Sequence, residues 1–299
     1  MNHDHGPTKM NCANDASHTL ARRTLGPVTA EARADLPAHI RAFTDSNDRH
    51  YLAKQHSSRE RYEREVHAYT HWVPGIHDRA PHLVATDPDN LILLLTAVPG
   101  VPASNVTPGG DAERAAYHAA GTVLRRLHDS APPDHSLTMA ATLAERTRHW
   151  VNRARALLTA AQRRLLLDHA DAIGSAPVEV RFCHLDFQPR NWMIDDDGTL
   201  RLIDYEHARP DARVRDLARL AHRYWPRRPD LYHAFVRGYG TALDQSERRL
   251  LYHFGALEAA TALVRGTDTD NPDMALHGRA LLDRLMRHPD PSPELWSTP

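Results

Sequence analysis

The sequence between Phe182 and Ala208 reads FCHLDFQPRNWMIDDDGTLRLIDYEHA and sets polar side chains among short runs of apolar, strand-forming residues. The three consecutive acids at 195–197 need no special purpose, because Asp-Asp-Asp-Gly is a favourable hairpin turn. Asp186, Asn191 and Asp204 flank this turn, at positions where a buried carboxylate is costly unless something binds there. The segment therefore predicts a hairpin that carries a polar binding site.

The spacing of these three residues indicates how the site is built. A hairpin of this length returns the chain beside its start, so Asn191 and Asp204 should lie close together. One carboxylate and one amide oxygen make a poor metal cage alone, but with phosphate oxygens and water they suit Mg²⁺, which is usually shared with a nucleotide. Asp186 would then face the reacting phosphoryl group and accept the proton of an incoming hydroxyl.

Composition narrows the class of partner. The formal net charge of the 299-residue chain is −1, which provides no field toward nucleic acid or a charged membrane surface. Its two cysteines argue against a disulfide scaffold, and the polar N-terminus lacks the apolar segment of a secretory signal. We therefore expect a cytoplasmic protein with neither a nucleic-acid nor a membrane partner.

The order of predicted elements changes along the chain. Alternating residues around turns predict hairpins over 38–56 and 82–96, with a helix at 59–72 and a further strand within 20–35. Beyond AVPGVPAS, which breaks regular structure as a connector would, helical periodicity dominates. Helices are predicted near 111–128, 139–172, 211–225, 229–243, 246–265 and 273–287.

At this point the sequence resembles a known family. His184, Asp186, Pro189 and Asn191 match the catalytic loop of the protein-kinase-like fold, and Asp204 matches its metal-binding aspartate. The form CHLDFQPRNWMI followed by LIDYEHA is most similar to aminoglycoside phosphotransferases and choline kinases. The motifs LRRLHDS and RDLARL extend the resemblance, which covers most of the chain from about residue 38 to 224.

The resemblance implies an α+β, bilobal, protein-kinase-like fold with a small antiparallel-sheet N-lobe and a larger, mainly helical C-lobe. The corresponding division of the chain has four parts: a disordered tail at 1–18, a nucleotide-binding lobe at 19–97, a catalytic and acceptor-binding lobe at 98–288, and a loose tail at 289–299.

A lysine on the third strand of the small lobe contacts the nucleotide phosphates in such folds, held by a glutamate of the next helix. Lys54 stands in that place, in a chain whose 37 basic residues include only one other lysine, Lys9. At about 100° per residue, Glu65 lies roughly 50° from the centre of the apolar stripe of its helix, and Glu63 about twice as far. Glu65 is therefore the predicted partner, with Glu63 as the alternative.

Other residues gain roles from the resemblance. His184 would support the catalytic loop, and Asp216 in RDLARL would accept backbone N–H bonds from it or simply sit at a helix start. Thr96 and Val98, in the connector, would offer backbone groups to the nucleotide base. Glu206 could assist the metal or be a solvated acid. The phosphate-covering loop between the first two strands lacks the family's glycines, since Gly26 stands alone there.

The implied activity is transfer of the γ-phosphoryl group of ATP or GTP, with Mg²⁺, to a hydroxyl of an antibiotic, an aminoglycoside or another hydroxylated compound, which would confer resistance. The acceptor would rest on the helical lobe, near 136–172 and the C-terminal helices. Asp268, Asp270 and Asp273 with Glu258 could form an acidic wall for a polycation, or a solvated loop. A metabolite kinase of the choline or homoserine type, and a catalytically inactive nucleotide-binding protein, are the alternatives.

Overall fold

A computed structural model describes residues 8–132, 134 and 137–288. The small lobe is a five-stranded antiparallel sheet with strand order β1-β2-β3-β5-β4. Its strands are β1 (Val28–Glu31), β2 (Ile40–Asp45), β3 (His50–Gln55), β4 (Leu83–Asp87) and β5 (Ile92–Thr96). Both predicted hairpins are confirmed, and the further strand expected within 20–35 is β1.

Two helices cover opposite faces of this sheet. Side chains alternate across a strand, so Ile92 and Leu94 of β5 pack with helix α1 (Thr8–Leu25), whereas Leu93 and Leu95 join the large core beside helix α2 (Arg59–His71). Helix α2 thereby lies between the sheet and the helical lobe, where its side chains can reach both.

Helix α1 corrects the prediction of a disordered tail over 1–18, which is wrong for residues 8–18. Leu20 and Ala21 are buried against the sheet, with Ala16 and Leu25 packed beside them. These apolar positions are spaced for one helix face, a signal that the polar neighbouring residues obscure. Residues 1–7 and the predicted loose tail at 289–299 lie outside the described residues.

The helical lobe begins after the sheet. Its helices are α3 (Asp111–His128), α4 (Leu137–Arg153), α5 (Ala160–Gly174), α6 (Pro229–Tyr239), α7 (Gln245–Asp268) and α8 (Pro272–Arg287). The helix expected at 139–172 is two helices, α4 and α5, separated by a break. The helix expected at 211–225 is wrong in part, because residues 209–212 form a strand and 213–227 a succession of irregular helical turns.

Short strands carry the segment that opened the sequence analysis. They are β6 (Val101–Pro102), β7 (Val180–Cys183), β8 (Trp192–Ile194), β9 (Leu200–Leu202) and β10 (Arg209–Ala212). β8 and β9 form the predicted hairpin, with β6 on the other edge of β8, and β7 pairs with β10. The loop from β7 to β8 therefore starts beside the point where the loop from β9 to β10 ends, and it ends beside the point where that loop starts.

Two glycines let α3 and α6 cross in backbone contact. A Cβ atom at Gly121 would overlap the carbonyl oxygen of Phe235, and one at Gly238 would overlap that of His118. The axes of these helices consequently lie closer together than side chains would allow. Among the described helices none is long and apolar enough to cross a lipid bilayer.

Candidate active site

Lys54 lies between two carboxylates at the base of the cleft between sheet and helices. Its Nζ is 2.8 Å from Glu65 Oε2 and 2.5 Å from Asp204 Oδ1. Burial opposes the charged amine, but Glu65 and Asp204 outweigh it and hold the pKa of Lys54 above its ordinary value. Lys54 is thus a buried cation, paired with one acid from each lobe.

Glu65 is fully buried and connects three parts of the molecule. Besides Lys54, its Oε2 lies 2.7 Å from His56 Nε2, and its Oε1 accepts the backbone N–H of Tyr205 at 3.2 Å. Glu63, the alternative partner, is exposed and pairs with Arg59 instead. Glu65 therefore fixes the residue directly after Asp204 against the small lobe.

Asp186 is buried on the loop between β7 and β8 and is surrounded by donors. Its carboxylate accepts hydrogen bonds from Gln188 and Asn191, each at 2.8 Å, and from Arg190 at 2.9 Å. Arg219 also forms an ion pair with its Oδ1. Four donors satisfy the carboxylate and fix its position at the junction of the two lobes.

Asn191 and Asp204 are brought together by the hairpin, since the backbone N–H of Ile203 donates to the carbonyl of Asn191 at 3.1 Å. The amide nitrogen of Asn191 donates to Asp186, and its Oδ1 makes no hydrogen bond within the described residues. Burial alone would raise the pKa of Asp204, but Lys54, aided by His184 and His207, holds it below the ordinary value, so that the carboxylate is ionised. An ionised carboxylate and a free amide oxygen fit Mg²⁺ shared with phosphate oxygens.

His184 and Asp216 hold the catalytic loop from below. His184 accepts from the backbone N–H of Asp186 at 3.3 Å and donates to the carbonyl of Ile203 at 2.9 Å, while burial lowers its pKa. The Asp216 carboxylate accepts the backbone N–H groups of His184 at 2.8 Å and Leu185 at 2.5 Å. The histidine bridges the two loops and is not available for proton exchange with a substrate.

Two residues of these loops adopt left-handed backbone conformations. Leu185 has φ of +61° and Asp204 φ of +71°, in the region that favours glycine. Such strain persists only where the surroundings over-determine it, and Asp216 supplies this at Leu185, as Lys54 and the Glu65 bond to Tyr205 do around Asp204. The fold therefore holds both strained residues that flank the site.

Thr96 and Val98 lie where the sheet ends and the helical lobe begins. The backbone N–H of Thr96 is already bonded, because it donates to the carbonyl of His82 at 3.0 Å. No hydrogen bond to the backbone of Val98 occurs within the described residues. The loop between the first two strands spans 32–39, contains no glycine, and ends at His39 near Lys54.

Glu206 is not a solvated acid. Its carboxylate lies 3.2 Å from Arg61, 3.4 Å from His207, 3.6 Å from His56 and 3.7 Å from Lys54. It extends the acidic lining of the cleft next to Asp204.

A pocket of about 220 Å³ opens on the other side of Asp186, toward the helical lobe. Leu185 and Phe187, the neighbours of Asp186, form one wall, and α4, α7 and the segment 207–219 form the others. Of the four acids suggested as an acidic wall, only Glu258 lines this pocket, and Asp268 is paired with Arg153 at 2.8 Å. The pocket therefore has no acidic wall formed by these four residues, because most of its charged lining residues are arginines.

One further group of potential metal ligands is fully buried within the described part of the chain: His128, Cys183 and Asp216. Its members are already bonded, since His128 Nε2 contacts Asp216 at 3.1 Å and the Cys183 thiol donates to the carbonyl of Asp211 at 3.4 Å. Burial raises the pKa of the thiol far above its ordinary value, which keeps it out of the thiolate form that metals bind. The group is a support for the catalytic loop.

Sequence reasoning missed several residues that contact the site. They are His56 at Glu65, Gln188, Arg190 and Arg219 at Asp186, and His128 at Asp216. Gln188 and Arg190 lie inside the first quoted motif, His128 inside LRRLHDS and Arg219 inside RDLARL. Their contacts with the site depend on the fold and could not be read from the motifs alone.

The two lobes, with the catalytic loop between them, define a protein of the kinase-like fold. The chain belongs to the phosphotransferase enzyme family, whose model matches residues 39–254. It is therefore a kinase-type enzyme, a phosphotransferase that acts on a small molecule with a nucleotide as phosphoryl donor. This membership confirms the predicted resemblance and fold class.

Solved structures agree on the fold. Choline kinase from Streptococcus pneumoniae has a TM-score of 0.64 at 12% identity, covering 92% of this chain and 99% of that one. An AMP-bound spectinomycin phosphotransferase has 0.62 at 14%, covering 95% and 98%. Macrolide 2'-phosphotransferase from Brachybacterium faecium has 0.60 at 14%, covering 91% and 98%. Among curated proteins, none matches this chain.

Proposed function

We propose that this protein transfers the γ-phosphoryl group of ATP or GTP to a hydroxyl of a small molecule in a Mg²⁺-dependent reaction. One observation carries the proposal: a continuous chain of contacts joins the four residues the chemistry needs. Lys54 Nζ is 2.5 Å from Asp204, the hairpin joins Asp204 to Asn191, and Asn191 donates to Asp186 at 2.8 Å.

In the reaction, the acceptor oxygen forms a bond to the γ-phosphorus while the bond from that phosphorus to the β,γ-bridging oxygen breaks. The bonding electrons leave with the nucleoside diphosphate, and the hydroxyl proton passes to Asp186. Asp186 suits this role because four donors of the protein itself hold its carboxylate in a fixed position before a substrate binds. Positioning supplies most of the acceleration, since the transition state is loose.

Asn191 and Asp204 would hold Mg²⁺ through their oxygens, and the bound ion would neutralise phosphate charge. Lys54 would fix the nucleotide phosphates, as Glu65 orients its amine. Thr96 and Val98 would receive the base through backbone groups, with Val98 the better placed because its backbone has no bond within the described residues.

The acceptor we propose is a hydroxylated antibiotic other than an aminoglycoside, whose phosphorylation in the cytoplasm would give resistance. Macrolide and spectinomycin phosphotransferases share the fold, which supports an antibiotic as the acceptor. A polycationic aminoglycoside, or choline, would meet the arginines that line the pocket beside Asp186. An inactive protein is the weaker alternative, because all four residues named above are present.

The test is turnover by the purified chain with Mg²⁺ and either ATP or GTP over a panel of neutral, anionic and cationic hydroxylated compounds. Nucleoside diphosphate release should depend on one class of acceptor, and Asp204→Ala should abolish it. Asp197→Ala, an exposed acid of the same hairpin, is the matched control and should stay active. Nucleotide binding with no turnover of any compound would favour the inactive protein.

A further inference from the structure

The pocket beside Asp186 is lined by five guanidinium groups from three parts of the chain. Arg146 comes from α4, Arg265 from α7, and Arg209, Arg215 and Arg219 from the segment that follows Asp204. They surround a space that touches both neighbours of Asp186, so any molecule that places a hydroxyl at Asp186 from this side contacts them.

Three of the five share one buried carboxylate. Asp211 lies 3.1 Å from Arg146, 3.3 Å from Arg209 and 4.0 Å from Arg215. One negative charge cannot neutralise three positive ones, so this cluster keeps a net positive charge. The Nε and Nη1 atoms of Arg215 are buried and have no hydrogen-bond acceptor in the described chain, although guanidinium donors are costly to leave unpaired.

The other two arginines add to this excess. Arg219 is shared between Asp186 and Glu258, which lies 4.0 Å away. Arg265 is exposed and forms no ion pair within the residues described, and its guanidinium lies 5.6 Å from the ring centroid of Trp150. Two carboxylates line the pocket, Glu258 and Asp216. Asp216 is already bonded to His128 and to the backbone N–H groups of the catalytic loop, which leaves Glu258 to face Arg219 and Arg265.

Electrostatics in the pocket reflect this imbalance. Burial, aided by repulsion from Arg146 and Arg215, lowers the pKa of Arg209 to about 10. Burial likewise lowers the pKa of His207, on the pocket wall, to about 4, with Arg265 among the cations that oppose its protonation. An anion bound in the pocket would offset the repulsion from the neighbouring cations at both groups.

We propose that the acceptor carries an anionic group, a carboxylate or a phosphate ester, which these arginines bind while its hydroxyl lies at Asp186. Guanidinium forks match both anions in bidentate geometry. This inference rests on the proposed function, and it adds the charge of the substrate to it. The same excess charge excludes cationic acceptors, since they would have to approach five guanidinium groups.

The experiment uses four six-carbon compounds derived from glucose that differ in charge: glucosamine, glucose, gluconate, which is open-chain, and glucose 6-phosphate. Binding to the full chain is measured by calorimetry and by thermal shift, with and without Mg²⁺ and ADP. Gluconate or glucose 6-phosphate should bind at least about 10-fold more tightly than glucose, the scale of a charge-assisted hydrogen bond, and glucosamine should be weakest. The two anions distinguish a carboxylate site from a phosphate site.

Variants locate the binding. Arg146→Gln should reduce the preference for the anion about 10-fold or more. Arg148→Gln should not, because Arg148, on the same helix, pairs with Glu145 and with Asp171 of α5 and does not line the pocket. Arg265→Gln is the second variant, since its exposed side chain keeps the test valid should Arg146→Gln unfold.

The outcomes separate this inference from the proposed function. Equal binding of glucose and both anions, stronger binding of glucosamine, or anion binding untouched by both pocket variants would overturn the anionic acceptor while nucleotide binding persisted. If the unmodified chain prefers the anions but neither binds a nucleotide nor shows turnover, the kinase mechanism is overturned instead. Lys54→Ala makes the distinction direct, because it should remove nucleotide affinity and leave the response to gluconate.

Discussion

Asp186 separates two regions of opposite charge. On the side of the small lobe, the single lysine Lys54 lies among Glu65, Asp204 and Glu206. On the side of the helical lobe, five arginines face the pocket. The first region has more acid than its buried cation balances, and the second has more base than its acids balance.

The difference indicates what each region binds. A bound cation would neutralise an excess of ionised carboxylates, which suits a metal ion that binds together with the nucleotide. An excess of guanidinium is stable when an anion arrives. The two regions therefore complement two different ligands, and Asp186 is the acid they have in common, because both Asn191 and Arg219 contact it.

The largest expected effect is at this shared residue. Asp186→Asn should lower turnover by roughly 10²–10⁴, the range for a positioned acid/base group, and keep nucleotide affinity within a few-fold. It should also strengthen anion binding in the pocket, because Arg219 loses its charged partner. Steady-state kinetics and calorimetry measure both, with Asp197→Asn as the exposed control; turnover near wild type would remove Asp186 from the base role.

The metal side can be weakened alone. Asp204→Ala should raise the Mg²⁺ concentration needed for nucleotide binding by about 10²-fold, the upper end of what even outer-shell ligand partners cost. Asn191→Ala should raise it less, because an amide oxygen is the poorer ligand for a hard cation. Titration of Mg²⁺ at fixed nucleotide tests this, and anion binding should not change. An unaltered Mg²⁺ requirement in both variants would mean that the hairpin is only structural.

Shape can be tested apart from charge at Lys54. Lys54→Arg keeps the positive charge but places a broad planar group between Glu65 and Asp204, and a misplacement of about 1 Å can cost ~10² in rate. It should therefore lower kcat/KM for the nucleotide nearly as much as Lys54→Ala, with the free energy of unfolding little changed. Arg49→Lys, at an exposed turn, is the control. Full activity of Lys54→Arg would withdraw Lys54 and Glu65 from the site.

The smallest effect is the response of the helical lobe to acid. Burial lowers the pKa of His169 to about 4, and the folded protein therefore keeps this histidine neutral. The unfolded chain, with a histidine pKa near ~6.5, binds more protons between that pH and about 4, so stability falls as pH falls. His169 alone should account for a loss of about 2 kcal/mol at pH 5 relative to pH 8.

Urea unfolding at the two pH values measures this loss. His169→Phe, which cannot be protonated and can pack on Tyr252, should show a smaller loss by about that amount. The same pH dependence in the variant and in the wild type would assign it to other groups.

The sequence predicted best where local pattern and chemistry coincide. The hairpins followed from alternation, and Glu65 was preferred over Glu63 from helix geometry alone, the same residue that the structure places against Lys54. The arginine pocket could not be foreseen, because Arg146, Arg219 and Arg265 lie far apart in sequence. The helical part of the chain balances its charges overall, so composition conceals a local excess that only folding assembles.

Helix α1 was missed for a different reason. Its buried face contains few apolar residues, such as Leu20 and Ala21. Its stability comes more from packing on the sheet than from its own sequence. Tertiary contacts of this kind leave little trace in a local window.

The backbone contact of α3 with α6 at Gly121 and Gly238 extends its influence to the catalytic loop. α3 ends at His128 and α6 at Tyr239, the two side chains meet at 2.8 Å, and His128 contacts Asp216 at 3.1 Å, below Leu185. The distance between the two helices thus fixes the position of the catalytic loop, although neither helix contains any of its residues. In a genetic screen, an alanine at either glycine would be scored as an inactive enzyme, although no reacting atom lies near it.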